Sequence, residues 1–411
     1  MSAAALTATS RRSFLAFWGG FTAFELAGEV VTLALALVAL EALSATPEQI
    51  GLLNAALAFP VIVVAVLAGS FVDRGNEARL LSYSSLLRLG ASGFVVTLAL
   101  TNLLSLPVLL AVALLAGTGR TVFDIAYQTL LPQLVGDDDL EGANRRLQGS
   151  LAMTSTLGPA LAGTLVSALG SAVALVGDAG LCLIAFVFFL PLAAVPAPVA
   201  PSRGLGSGSF VSGLRSISSI PALRALTGTA VTANFVEQAF FTVLVIYAIR
   251  DLGVEPAALG VALGAAGTGT FAGIGIGSWL SGRMNPGAIL VAGAATMGGG
   301  MTVMACAAWS PVGAAVWIAL AVAIYNLGLV VYNVQAVTLR QRLAPADMLG
   351  RVNAAYRLLA FGSIPLGGIA GGLAAVAFGL QTVLGMCAAA LMIVTAALSL
   401  QRRLFNAVRN G

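Results

Sequence analysis

Gly69-Ser70-Phe71-Val72-Asp73-Arg74 ends one long apolar run, and Gly277-Ser278-Trp279-Leu280-Ser281-Gly282-Arg283 ends another about 208 residues later. The two runs begin alike, with a proline followed by a glycine: Pro47 and Gly51, then Pro256 and Gly260. Further positions repeat at nearly the same offset: Gln133, Asn144 and Pro159 correspond to Gln341, Asn353 and Pro365. A duplicated half-unit of membrane helices is typical of secondary transporters, whose substrate site lies between the halves.

The composition indicates a membrane protein with many spans. Of 411 residues, 59% are hydrophobic and 9% are charged, and the mean hydropathy is +0.99. Soluble domains contain about 25% charged residues. Twelve spans of about 20–25 residues would use roughly 250–300 residues, which leaves too little chain for a nucleotide-binding domain. The sequence also lacks a G-x-x-x-x-G-K-[ST] motif, so we exclude direct ATP hydrolysis as the driving force.

Hydropathy predicts an all-α integral membrane protein with twelve transmembrane helices in two pseudo-symmetric six-helix bundles. The predicted spans are about 13–40, 49–72, 80–101, 107–132, 145–168, 172–195, 222–249, 257–281, 286–308, 312–338, 352–377 and 380–400. The bundles comprise residues 1–195 and 221–411, and a flexible cytoplasmic linker rich in Pro, Gly and Ser joins them at 196–220.

The arginines predict the orientation in the membrane. All 20 basic residues are Arg. The termini and loops on one side of the membrane contain nearly all the arginines that lie outside the spans, and the loops on the opposite side contain Arg250 alone. By the positive-inside rule, both termini are cytoplasmic. The same bias explains the net charge of +4 without a nucleic-acid partner.

Several motifs resemble the major facilitator superfamily across the whole chain, and in particular its drug- and siderophore-export branch, which includes macrolide efflux pumps and the enterobactin exporter. The matching stretches are Gly69–Arg79, Tyr127–Val135 with Asn144, Gly158-Pro159-Ala-Leu-Ala-Gly163, and Arg342–Asn353. The loop motif departs from the family pattern because Glu77 intrudes before Arg79. In the second copy, Ser281 stands where an acid is expected, which puts gating through that copy in doubt.

The resemblance implies a gating role for Asp73, Arg74 and Arg79. In the family, such an aspartate contacts the start of a helix in the other half, here the N-terminus of span eleven, near Arg351. A helix N-terminus attracts an anion, which fits this pairing.

Two proline positions predict bent spans. Gly158-Pro159 lies within span five and Pro365 within span eleven. Proline removes a backbone hydrogen bond and bends a helix, so these residues shape the interface between halves. The resemblance, not the spacing, implies export.

The spans contain five acids, and two of them predict a proton-coupling site. Glu25 and Glu29 lie four residues apart on one face of span one. Two carboxylates in a low-dielectric environment should not both be ionised, so one of them can load and release a proton. We expect Asp124 in span four to contribute. The alternative is a neutral acid that hydrogen-bonds between helices.

Arg120 is the clear base within the spans. It either pairs with Asp124, four residues further on, or faces the cavity and responds to a carboxylate of span one. Related multidrug exporters have an arginine in span four, which implies the second role and contact with substrate. Arg88 is expected to reach the cytoplasmic face, and Asp178 is expected to be structural.

Glu237 in span seven predicts a substrate site. Asn234 and Gln238 share its helix face, and aromatic residues follow, which suits a cationic or amphiphilic ligand. The alternative is a polar clamp between helices. Span ten adds further polar residues that are expected to face the cavity: Tyr325, Asn326 and Asn333.

The sequence therefore predicts a monomeric, proton-coupled antiporter of the bacterial inner membrane that exports small amphiphilic molecules such as drugs. It predicts no enzyme activity, metal site or cofactor beyond the coupling proton, and Na⁺ stays open as the coupling ion. Alternatives are a dedicated exporter of a siderophore or natural product, an importer of a small metabolite, and a receptor or scaffold that does not transport.

Overall fold

The structure, a computed structural model, describes residues 3–63, 77–193, 207–305, 313–345 and 348–406, and all regular secondary structure within these ranges is helical. The first half contains α1 (Ala3–Ala42), α2 (Pro47–Ala58), α3 (Glu77–Leu100), α4 (Leu106–Leu169) and α5 (Ser171–Ala193). The second half contains α6 (Ser207–Ser219), α7 (Pro221–Arg250), α8 (Pro256–Gly264), α9 (Ala266–Ser281), α10 (Pro286–Ala305), α11 (Ala314–Leu343), α12 (Leu349–Phe378) and α13 (Leu380–Asn406).

Length and hydropathy confirm the predicted class of all-α membrane protein. Eleven helical segments of the described chain are long and apolar enough to cross a membrane. A shorter apolar helix, Pro47–Val63, lies where the second span is predicted. Two of the spans, Leu106–Val135 and Gly142–Leu169, belong to the continuous helix α4, whereas α8 and α9 together form one span, Pro256–Ser281.

The chain folds into two compact units, one of Met1–Ala45 with Ala56–Gly204 and the other of Thr46–Ala55 with Leu205–Gly411. In the first unit, α1 packs against α4 and α5, and α3 packs against the same two helices. Aromatic side chains fill its core, including Phe17, Phe21 and Phe123. Apolar residues on every side of these helices are expected where protein or lipid surrounds a span.

In the second unit, α7 packs on α12, and α11 lies against α9 and α10. This unit also contains the first part of α2, which packs on α12 through backbone contact. A methyl group at Gly51 would collide with the carbonyl oxygen of Gly368. Asn54 of the same segment donates a hydrogen bond to the Thr242 hydroxyl at 2.9 Å.

Close helix contact through glycine is clearest between α9 and α11. Gly269 and Gly273 lie one turn apart on α9, and a methyl group at either would collide with the backbone of α11, at Ala323 and Leu327 respectively. Lipid gives helices no hydrophobic drive to associate, so small residues that let backbones approach stabilise the contact by packing.

Part of the predicted linker is the amphipathic helix α6. Its buried face consists of Gly213, Ser216 and Ile217, which pack on the beginning of α12. The Ser216 hydroxyl lies 3.3 Å from the sulfur of Met348. The high Gly and Ser content concealed this helix in the sequence, because those residues predict a flexible chain, whereas Leu214 and Ile217 already had helical spacing.

We predict that Gly269→Ala lowers the apparent Tm of the purified protein in detergent. The new methyl group would overpack the α9–α11 contact, which costs roughly 1–3 kcal/mol of unfolding free energy. Gly275→Ala is the matched control on the same helix, because open space surrounds Gly275. Thermal unfolding of both variants checks this, and an equal Tm for the two would contradict the packing argument.

Candidate functional site

In the first unit, one arginine holds two carboxylates. Arg120 Nη1 donates to Glu25 Oε2 at 2.8 Å, and Arg120 Nε donates to Asp124 Oδ2 at 3.1 Å. Arg120 thus pairs with Asp124 within α4 and also contacts Glu25 of span one, while its expected contact with substrate stays a prediction. The Arg120 and Asp124 side chains are 39% and 30% exposed, whereas that of Glu25 is 5% exposed.

Glu29 lies one turn from Glu25 and packs against Gly158 of α4. A methyl group at Gly158 would collide with the Cβ and Cγ atoms of Glu29. The glycine therefore creates the space that the glutamate occupies, and Pro159 is buried beside it within α4. Glu29 is half-buried and forms no ion pair with an arginine of the described chain.

Arg88 does not reach the membrane surface, so that prediction is wrong. Its side chain is 1% exposed, and Nη2 donates to Asp178 Oδ1 at 2.6 Å. The Ser92 hydroxyl donates to the other oxygen of Asp178. The guanidinium also lies over the Phe24 ring, 5.1 Å from its centroid. Burial of both charges together, with a hydrogen bond for each carboxylate oxygen, makes the position tolerable without water.

These contacts change the balance of charge within the first unit. Asp178 neutralises Arg88, so Glu25, Glu29 and Asp124 share Arg120 alone. If all three acids were ionised, the group would have two uncompensated negative charges. The Oε1 atom of Glu25 is also buried without a hydrogen-bond partner in the described chain. An arrangement with more acids than bases within membrane spans is suited to binding protons.

In the second unit, Glu237 lies among aromatic residues rather than arginines. Its carboxyl group is beside the Tyr325 hydroxyl, which is buried and makes no hydrogen bond of good geometry within the described chain. The Tyr325 ring meets Phe241 edge to face, with centroids 5.8 Å apart. Glu237 is half-buried and forms no ion pair with a described arginine. This carboxyl group can therefore accept a proton or a cationic ligand.

The polar neighbours of Glu237 have different partners. Asn234 donates to the carbonyl of Ala360 at 2.8 Å and so links α7 to α12, as a polar clamp between helices would. The Gln238 amide lies 3.5 Å from the Thr242 hydroxyl. Asn326 donates to Val322 of its own helix at 3.0 Å, and Asn333 is exposed two turns further along α11. The described contacts thus bring Tyr325 to Glu237 but not Asn326 or Asn333.

The predicted gating residues are only partly visible. Asp73 and Arg74 lie outside the described residues, and Arg79 is exposed near the start of α3. The intruding Glu77 is buried and accepts a hydrogen bond from Gln133 at 3.3 Å. Pro365 is buried within α12.

The internal repeat relates Glu29 to Glu237, a correspondence that the repeated motifs alone did not reveal. The offset of about 208 residues places Glu29 at the position of Glu237. Each acid lies on a helix that packs closely on a glycine of a proline-containing helix. A methyl group at Gly158 of α4 would collide with Glu29, and one at Gly367 of α12 would collide with Phe235, two residues before Glu237. Aligning the halves residue by residue would have revealed this pair.

Comparison with protein families decides the identity. Residues 14–368 match the model of the Major Facilitator Superfamily, which is most of the chain. The chain belongs to the major facilitator superfamily. It is therefore a multi-pass membrane transporter and not an enzyme. A search of proteins with curated function finds no match.

Solved structures with the major facilitator fold are similar over nearly the full length. A bacterial homologue of the iron transporter ferroportin, inward-facing, has a TM-score of 0.74 at 15% identity and covers 98% of this chain and 100% of its own. A bacterial homologue of the human lysosomal transporter Spinster has a TM-score of 0.70 at 16% identity, covering 97% and 98%. The nucleoside transporter NupG has a TM-score of 0.72 at 15% identity, covering 95% and 98%. At such identities the likeness shows the fold alone.

We predict that Arg88→Met destabilises this transporter strongly. The change leaves Asp178 buried without its partner, which costs roughly 3–5 kcal/mol. The double variant Arg88→Met/Asp178→Leu removes both charges and should recover most of the loss. Thermal unfolding in detergent compares the two, and a double variant less stable than the single one would contradict the pairing.

A second prediction concerns the position of Glu29. Gly158→Ala should displace the Glu29 side chain and lower transport activity at least as much as Glu29→Gln does. The first variant moves the carboxyl group away from its position, and the second removes its charge. Gly149→Ala on the same helix is the control, since a methyl group there meets nothing. Transport measured in vesicles, normalised to the amount of folded protein, checks this. Full activity of Gly158→Ala would show that the packing does not matter.

Proposed function

We propose that this transporter is a proton-coupled antiporter that exports small amphiphilic organic molecules. The observation that carries the proposal is the surplus of acids around Arg120. Glu25 and Asp124 share one guanidinium, and Glu29 has no arginine partner in the described chain. Such a surplus within membrane spans is stable only if a proton or a cation neutralises it. Alternating access can then carry that proton across the membrane.

Exposure indicates how a proton would enter. Asp124 and Arg120 are accessible, whereas Glu25 is buried behind them. A proton that arrives at Asp124 releases one of the two bonds of Arg120, and the guanidinium can then pair fully with Glu25. When Glu25 or Glu29 takes the proton instead, Arg120 stays with Asp124. Arg120 therefore transmits the protonation of one acid to the other.

The surroundings of Glu237 favour a cationic substrate. A carboxyl group beside Tyr325 and Phe241 offers both charge and aromatic faces to an organic cation. Gln238, the next residue, and Thr242, five residues on, add hydrogen-bonding groups on the same helix. An amphiphilic cation can satisfy the charge and bury its apolar part against the rings.

The exposed Arg120 side chain favours a second candidate, export of an anionic siderophore or natural product. A guanidinium that is 39% exposed can bind a carboxylate or similar oxyanion. Loss of transport on Arg120→Gln, with full transport by Glu237→Gln, would favour this candidate over the cationic one.

Proton release on substrate addition tests the antiport directly. Everted vesicles with the transporter are acidified inside and then given cationic, neutral and anionic compounds. We expect at least one compound to collapse the gradient, and Glu25→Gln and Glu29→Gln to abolish the response. Glu41→Gln on the exposed end of α1 is the matched control and should behave like the wild type.

Two results would contradict proton coupling through these acids. If a compound is transported without proton movement but follows a Na⁺ gradient, the coupling ion is Na⁺ and the proton proposal is wrong. If Glu25→Gln and Glu29→Gln respond like the control, these acids do not couple transport.

The charge of the substrate is tested separately at Glu237. Glu237→Gln should weaken binding of cationic compounds about tenfold or more, since an interaction with a charged group contributes roughly 1.5–3 kcal/mol. Neutral analogues of the same shape should bind as before. The control is Glu255→Gln, which changes an exposed acid in the loop between α7 and α8. Binding to purified protein measures the affinities, and equal losses for cationic and neutral compounds would contradict charge recognition.

A further inference from the structure

Helix α6 packs at the ends of three membrane spans. It packs where α11 ends at Leu343 and where the spans Pro221–Arg250 and Arg351–Phe378 begin. Its Ile217 side chain is 4% exposed and contacts a small apolar cluster that includes Leu223 and Val352. A helix held against the ends of three spans is at the depth where lipid headgroups begin.

Two apolar side chains of α6 are exposed, Val211 by 58% and Leu214 by 39%. Val211 lies on the side away from Gly213 and Ile217 and shares that side with Arg215, four residues on, whereas Leu214 lies at the edge of the buried face. Exposed apolar residues on a surface helix are costly in water but stable within the interfacial region of a bilayer. The face is therefore suited to the boundary between headgroups and acyl chains.

Three exposed arginines surround this face. Arg215 belongs to α6, and Arg224 donates to the carbonyl of Ser218 at 3.2 Å, which fixes it at the end of the helix. Arg351 is adjacent, because its carbonyl group lies against Gly213. Within the described chain, none of the three forms an ion pair with a carboxylate. This local positive charge is complementary to phosphate-bearing headgroups.

We propose that α6 is an interfacial helix that binds anionic phospholipids of the adjacent leaflet. Val211 and Leu214 enter the acyl-chain boundary, and Arg215, Arg224 and Arg351 contact the headgroups. Each arginine near an anionic membrane surface strengthens such binding roughly fivefold. The contact would fix the beginning of α12 relative to the membrane, and it is independent of the transported substrate.

Depth-dependent quenching in nanodiscs tests the proposal on the full-length protein. A Val211→Cys variant is labelled with a fluorophore and placed in phosphatidylcholine, with or without phosphatidylglycerol, in which the acyl chains are brominated. The same treatment without Val211→Cys measures labelling of the native cysteines. We expect quenching in both lipids, stronger with phosphatidylglycerol, and a loss of the difference at high salt.

The arginines are tested by Arg215→Gln/Arg224→Gln in the labelled protein. The ratio of quenched to unquenched label with phosphatidylglycerol should fall roughly fivefold for each arginine removed. Arg402→Gln/Arg403→Gln, two exposed arginines at the end of α13, is the control and should change nothing.

Several results would overturn the proposal. Absence of quenching in both lipids would show that the face meets water or protein instead. Equal quenching in both lipids, unaffected by salt, would show apolar insertion without recognition of anionic lipid. The salt titration uses the native arginines, so the test stands even if the double variant fails to fold.

Discussion

The bond of one guanidinium to two carboxylates organises the first unit. Arg120 joins Glu25 of α1 to Asp124 of α4, and so links two membrane-spanning helices by charge. A membrane interior tolerates ionisable groups only when they are paired or neutral. Because Arg120 cannot balance both acids and Glu29 as well, the unit has a built-in requirement for an added positive charge. The proposed proton coupling follows from that requirement.

A second guanidinium shows the contrasting case. Arg88 and Asp178 are fully buried, with one base for one acid. That pair is balanced, inaccessible and supported by Ser92, and it has no reason to take up a proton during transport. Two arginines in one bundle thus have separate roles: one stabilises the packing of α3 on α5, and the other is placed where its pairing can change.

The sequence predicted the all-α membrane class and most of the spans, because apolar length is a local property. It failed where a partner is distant along the chain. The residues around Arg88 do not indicate that it pairs with Asp178, because the aspartate lies 90 residues away along the chain. An arginine two turns from a helix end was therefore expected to reach the surface. Likewise, Asn234 could not be assigned to the carbonyl of Ala360, and the Gly- and Ser-rich region around α6 concealed a helix that depends on packing against α12.

We infer that one acid near Arg120 is protonated in the resting transporter. Infrared difference spectroscopy of the purified protein at neutral pH measures this directly, since a protonated carboxyl group has a carbonyl stretch distinct from that of a carboxylate. We predict a protonated-acid band that is lost or diminished in Glu29→Gln or Glu25→Gln and unchanged in Glu41→Gln. Spectra of all three variants that match the wild type in this region would contradict it.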